Sequence, residues 1–75
     1  MKKIKINTEY ITLGQFLKIV DIANSGGEAK YLVKELQITV DDEPENRRGR
    51  KLYPNMVIVV QNYGTYQIVW LNQSN

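Results

Sequence analysis

The chain has 75 residues, ten Lys or Arg against eight Asp or Glu for a net charge of +2, and neither Cys nor His. That composition excludes disulfides and thiolate metal sites, and it removes the commonest metal ligand and the usual general base. One small domain spanning residues 1–75 is expected, and any nucleic-acid face must come from clustered cations because the bulk charge is small.

Residues 2–7 alternate, with Ile4 and Ile6 on one side and Lys3 and Lys5 on the other, the period of a half-buried strand. This is not the unbroken apolar core of a signal peptide, and no 18-residue apolar run follows, so a soluble cytoplasmic protein without membrane attachment is expected. Thr12-Leu13-Gly14-Gln15 has the spacing of a capping box, in which the Thr12 hydroxyl and the Gln15 side chain exchange hydrogen bonds with each other's backbone N–H. Helix one opens there and ends before Ser25, with Leu13, Phe16, Leu17 and Val20 on its apolar face and Gln15, Lys18 and Asp21 toward water. Ser25-Gly26-Gly27-Glu28 repeats the box and opens helix two, which runs to about Leu36. The helices are therefore expected to lie two or three residues apart.

On helix two, Ala29, Leu32, Val33 and Leu36 form the apolar stripe, Lys30 and Lys34 share one flank, and Glu28 and Glu35 share the other. Tyr31 falls beside the lysines, where it either stacks on an unpaired base or packs against a neighbouring loop. Gly26 and Gly27 present helix-start N–H groups that suit an anion, or simply supply a small-residue turn. Residues 36–40 switch to strand period, and Asp41-Asp42-Glu43-Pro44 reads as a turn.

Asn46-Arg47-Arg48-Gly49-Arg50-Lys51 follows, four cations in five positions with a glycine among them. Arg suits phosphate because its planar fork gives two parallel hydrogen bonds and stays charged. Gly49 permits a tight turn or the close approach of a ligand. A solvated surface loop looks the same in sequence. Leu52 and Tyr53 return toward the core, Pro54-Asn55 turns, and residues 56–61 carry the β-prone run Val57-Ile58-Val59-Val60. Asn62-Tyr63-Gly64-Thr65 connects a hairpin, residues 66–71 form the last strand, and a polar tail at 72–75 is expected to fray. The carboxylates Asp41, Asp42, Glu43 and Glu45 stand side by side in a turn and not across a pocket, so catalysis, a metal and a cofactor are not expected.

In this order, with the blocks Thr12-Leu13-Gly14-Gln15-Phe16-Leu17-Lys18, Ser25-Gly26-Gly27-Glu28-Ala29-Lys30, Ile38-Thr39-Val40-Asp41-Asp42-Glu43 and Asn46-Arg47-Arg48-Gly49-Arg50-Lys51-Leu52, the chain resembles the S-four-type RNA-binding domain, also called the alpha-L motif. Within that family it is most similar to the stand-alone bacterial proteins of the YaaA type, over about residues 9–60. The resemblance implies an α+β fold, a two-helix pair packed on a small, mostly antiparallel sheet with flanking N- and C-terminal strands. It also implies non-catalytic binding of structured RNA, ribosomal or transfer RNA, or of the ribosome. Ser25, Gly26, Gly27 and Lys30 match the family's entry to helix two, and Arg47, Arg48, Arg50 and Lys51 match its basic loop. Where the family has Gly-Asp before its final strand, this chain has Asn55-Met56. Asn tolerates the left-handed conformation, but the acid is lost.

The candidate RNA-binding set is thus Lys18, Ser25, Gly26, Gly27, Lys30, Tyr31, Lys34, Arg47, Arg48, Arg50 and Lys51. It is a single surface only if the loop folds back beside the lysine flank of helix two, with the acids placed elsewhere to repel misplaced phosphates. The competing class is a protein–protein adaptor that docks on an acidic surface through exposed aromatics such as Tyr10, Tyr53 and Tyr63.

Overall fold

The computed structural model describes residues 1–71, so the expected tail at 72–75 lies outside the described residues. The elements in chain order are β1 (Lys2–Ile6), β2 (Ile11–Thr12), α1 (Leu13–Ile19), α2 (Gly26–Glu35), β3 (Ile38–Val40), β4 (Glu43–Pro44), β5 (Lys51–Leu52), β6 (Val57–Val60) and β7 (Gly64–Trp70). The expected architecture is present: a helix pair packs on a five-stranded sheet of order β1-β7-β6-β3-β4, antiparallel except where β1 runs parallel to β7. A second, two-residue ladder joins β2 to β5.

Both helices start where the capping spacings place them. Thr12 Oγ1 accepts the Gln15 N–H at 3.2 Å and Gln15 Oε1 accepts the Thr12 N–H at 2.8 Å. In α2, Ser25 Oγ accepts the Glu28 N–H at 3.1 Å, but Glu28 Oε1 reaches one residue further back, to the Asn24 N–H at 2.7 Å. The helices are further apart than expected, because α1 stops at Ile19. Asp21 takes a left-handed φ of 63°, and the Ile22 and Ala23 N–H groups both turn back to the Leu17 carbonyl at 3.0 Å.

The core lies between the helices and one face of the sheet. Leu13, Phe16 and Leu17 of α1 meet Val33 of α2 and Val40, Ile58, Val60 and Ile68 of the sheet, all nearly or fully buried. Each such side chain contributes about 1.5–3 kcal/mol relative to staying in water. Phe16 packs edge-on against Tyr66, with ring centroids 5.1 Å apart.

Of the two turns expected from sequence, the one at Pro54-Asn55 has its left-handed residue at Asn55, whereas the one expected over residues 41–44 turns only at Asp41 and Asp42, Glu43 and Pro44 forming β4. Asp41 and Asp42 both have positive φ, 50° and 71°, which makes the two-residue β3–β4 connection a type I′ turn. Pro44 lies in β4 and not in the turn, which is tolerated because β4 is an edge strand. Asn55 takes φ 80°, and Met56 N–H closes on the Tyr53 carbonyl at 3.1 Å. With the acid gone, Met56 Sδ accepts the Tyr53 N–H at 3.3 Å.

Candidate nucleic-acid interface

The basic loop, residues 46–50, is built on a buried carboxylate. Glu45 extends the edge ladder, its N–H donating to the Ile38 carbonyl at 2.9 Å, and its side chain lies beneath the loop with 5% of its surface exposed. Glu45 Oε2 accepts the backbone N–H groups of Asn46 (3.2 Å) and Arg47 (3.1 Å) and Arg47 Nε (2.9 Å); Oε1 accepts Arg47 Nη2 (3.0 Å) and Arg50 Nη1 (2.8 Å). Arg47 thus grips the carboxylate with two parallel bonds. The Arg47 hydrogen bonds lower the Glu45 pKa from 4.5 to about 2, against the opposing effect of burial and with help from Arg50, and Glu45 raises the Arg47 pKa in turn. The expectation that all the acids stand away from the cations is therefore corrected for Glu45. The strand ladder to Ile38 carries its side chain under the loop, where a buried charge requires partners.

The loop is also sewn to α1. Arg50 N–H bonds the Arg47 carbonyl at 3.2 Å, making a turn with Arg48 and Gly49 at its tip. The Arg48 carbonyl accepts the Gly14 N–H and the Arg50 carbonyl accepts the Leu13 N–H, each at 2.8 Å. With Thr12 serving Gln15, these bonds use the first-turn donors of α1, so a phosphate must be held by side chains there. The loop comes close at Gly14: a Cβ there would lie 3.4 Å from both the Cβ and the carbonyl oxygen of Arg48 and 3.8 Å from the Cβ of Ala29 in α2, room for a methyl group but for nothing larger.

Loop and α2 share two grooves. One, of about 270 Å³, is lined by Gln15 and Lys18 of α1, Gly26 and Ala29 of α2, and Arg48 and Gly49. The other, of about 510 Å³, sets Lys34 of α2 opposite Glu45 and Asn46. The loop thus lies beside helix two, but of the lysine flank only Lys34 lines a groove shared with it. Ser25 and Gly27 flank Gly26 at the entry to α2, whereas Lys30 and Tyr31 lie on its outer surface, Tyr31 at 62% exposure. Lys51 points elsewhere: its Nζ sits 4.9 Å from the centre of the Tyr10 ring. Among the described residues the ion pairs are those of Glu45 with Arg47 and Arg50, so Lys18, Lys30, Lys34, Arg48 and Lys51 carry unneutralised charge.

The glycines divide instructively. Neither Gly26 nor Gly49 has a left-handed φ, and a Cβ at either would meet nothing within 4 Å. Nothing inside the fold calls for glycine there, and both border the same groove. Of the aromatics expected at a protein interface, Tyr10 and Tyr53 are half-buried with ring centroids 5.7 Å apart, which leaves Tyr63 well exposed. Tyr10 and Tyr53 pack on each other, and Lys51 sits over the Tyr10 ring, so neither ring is the fully exposed anchor that the adaptor reading expects.

Among the described residues no helix is long and apolar enough to cross a membrane. Residues 4–69 match the family model described as "S4 domain". A protein of Bacillus subtilis (strain 168) described as "Probable ribosome maturation protein RlbA" is 53% identical over 66 residues, which cover 88% of this chain and 93% of that protein. No solved structure matches the chain.

Proposed function

The chain belongs to the S4 domain family, and from that membership we propose that it binds structured RNA, ribosomal RNA or a ribosome-associated complex, without catalysing a reaction. The observation that carries this reading is the groove where Arg48, Lys18 and the glycine entry of α2 converge. Arg48 is the phosphate grip. Arg47 and Arg50 are the frame that holds it, tied down by Glu45, although Arg47 keeps 72% of its side chain in solvent and offers a free guanidinium edge. The name of the Bacillus subtilis relative points to the ribosome's maturation, and in this reading the present chain works in the cytoplasm. Recognition is by shape and backbone, because the contact residues are cations suited to phosphate and not to base edges.

Filter binding to deproteinised 16S and 23S ribosomal RNA across a salt series tests the proposal. Five of the unpaired cations, Lys18, Lys30, Lys34, Arg48 and Lys51, correspond to about five phosphates, for which affinity falls by roughly two to three orders of magnitude between 50 and 200 mM salt. Arg48→Ala weakens binding on the order of tenfold and reduces the salt slope by about one contact's worth. Affinity that ignores salt, or an Arg48→Ala variant that binds like the wild type, refutes it.

A further inference from the structure

A third groove, of about 720 Å³, involves neither α2 nor the basic loop. The chain from the end of β1 to β2 forms one wall and α1 the other, with Lys5, Tyr10, Gln15 and Lys18 among the lining residues. Its apolar surface comes from Ile6 and Ile11, which are buried, and from Ile19, which is 52% exposed. No Asp or Glu lines it. Glu9, on the same turn, is exposed and outside the lining. Lys51, seated over the Tyr10 ring, adds a further positive charge at the Tyr10 wall.

Gln15 and Lys18 line both this groove and the one beneath Arg48. The two are therefore joined across the exposed face of α1, and a chain of unneutralised cations runs from Arg48 through Lys18 to Lys5. An apolar floor bordered by lysines, an aromatic ring and amide side chains, with no acid, has the chemistry of a site for an unpaired nucleotide: base on the floor, phosphates on the ammonium groups. A duplex would keep its bases stacked inside and leave such a floor unused.

We propose that this groove takes an unpaired stretch of the same RNA that the loop holds. The inference rests on the RNA reading above and deepens it: the target is structured RNA with a single-stranded segment beside the element gripped by Arg48. Lys5 and Tyr10 are then binding residues, Lys18 bridges the two halves of the site, and Ile19 is exposed because a base covers it in the complex.

The test uses charge changes on exposed residues, since Tyr10 is half-buried against Tyr53 and its replacement would disturb the fold. Binding of deproteinised 16S and 23S ribosomal RNA is measured for Lys5→Glu, Glu9→Lys and Arg48→Ala, and the wild-type complex is irradiated at 254 nm and its adducts mapped by peptide mass. Lys5→Glu is expected to weaken binding about five- to tenfold with a shallower salt slope, Glu9→Lys to tighten it several-fold, and a nucleotide adduct to appear on the Tyr10 peptide. If neither charge change moves the affinity and no adduct forms there while Arg48→Ala still weakens binding, the groove takes no RNA and only the loop reading survives. If Lys5→Glu impairs co-sedimentation with ribosomes but not binding to naked RNA, the occupant is a protein and the inference is overturned. If the wild type binds neither RNA at 50 mM salt, both readings fall.

Discussion

Replacing Glu45 by Gln keeps the shape of the side chain and removes its charge, leaving Arg47 and Arg50 without their anion. The carboxyl is held at about 2 in the folded chain against an ordinary 4.5. At 1.36 kcal/mol per pKa unit this interval corresponds to about 3 kcal/mol as an upper bound. Arg47 is 72% exposed, so solvent screening reduces the expected figure to about 1–2 kcal/mol. Because the folded pKa is depressed, this stability is fully present well above 4.5 and is lost as pH falls toward 2. Urea unfolding followed by circular dichroism, on wild type and Glu45→Gln at a series of pH values, isolates the effect from the other carboxylates. The two stabilities should differ by about 1–2 kcal/mol at pH 7, stay nearly as far apart at pH 4.5, and differ by less than half as much at pH 3. RNA affinity should fall several-fold even though net charge rises by one, since the loop must then be ordered on binding. Stability curves that run parallel through this range would show that the Glu45 network holds nothing in place.

Gly26→Ala and Gly27→Ala should each stabilise α2 by about 0.5–1 kcal/mol, seen as a higher Tm, and each should weaken RNA binding if the backbone there is approached closely. Asp42→Gly, in the second left-handed position of the type I′ turn, should raise stability by about 0.5–1 kcal/mol in urea unfolding; Asp41 is left alone because its Oδ1 accepts the Val57 N–H at 2.9 Å. Gly14→Ala should be nearly neutral, its 3.4 Å contacts offset by better helix propensity, whereas Gly14→Leu should cost about 1–3 kcal/mol and abolish RNA binding by lifting Arg48 off α1.

What was legible in the sequence was local. The capping box at Thr12, the N-cap at Ser25, the alternation of Ile4 and Ile6 or Ile38 and Val40, and the left-handed readiness of Asn55 and Gly64 depend on neighbours a few residues away, and the structure shows each of them, although Glu28 completes its bond at Asn24 and so leaves the second box open. The β2–β5 ladder was not legible, because Ile11 pairs with Leu52 and Thr12 with Lys51 over only two residues, too few to show a period. Asp21 gave no warning that it would end α1 early. In the candidate site, the identity of the cations could be read but not their employment. Nothing in the order of residues says that Arg47 and Arg50 turn inward to Glu45 while Arg48 turns out, or that Lys51 covers Tyr10. Those assignments follow from which side of β4 and β5 faces the helices, a tertiary fact.

The parallel pairing of β1 with β7 bears on how the chain is made. Lys2 lies opposite Tyr66 and Ile6 opposite Trp70, so β1 leaves the ribosome before β7 and can pair only after β7 has been synthesised. At translation rates of about 5–20 residues per second, β1 waits roughly 3–13 seconds for its partner. During that wait Ile4 and Ile6 have no strand to rest on, and the interleaved Lys3 and Lys5, which stay exposed in the finished sheet, keep the nascent segment from pairing with another chain.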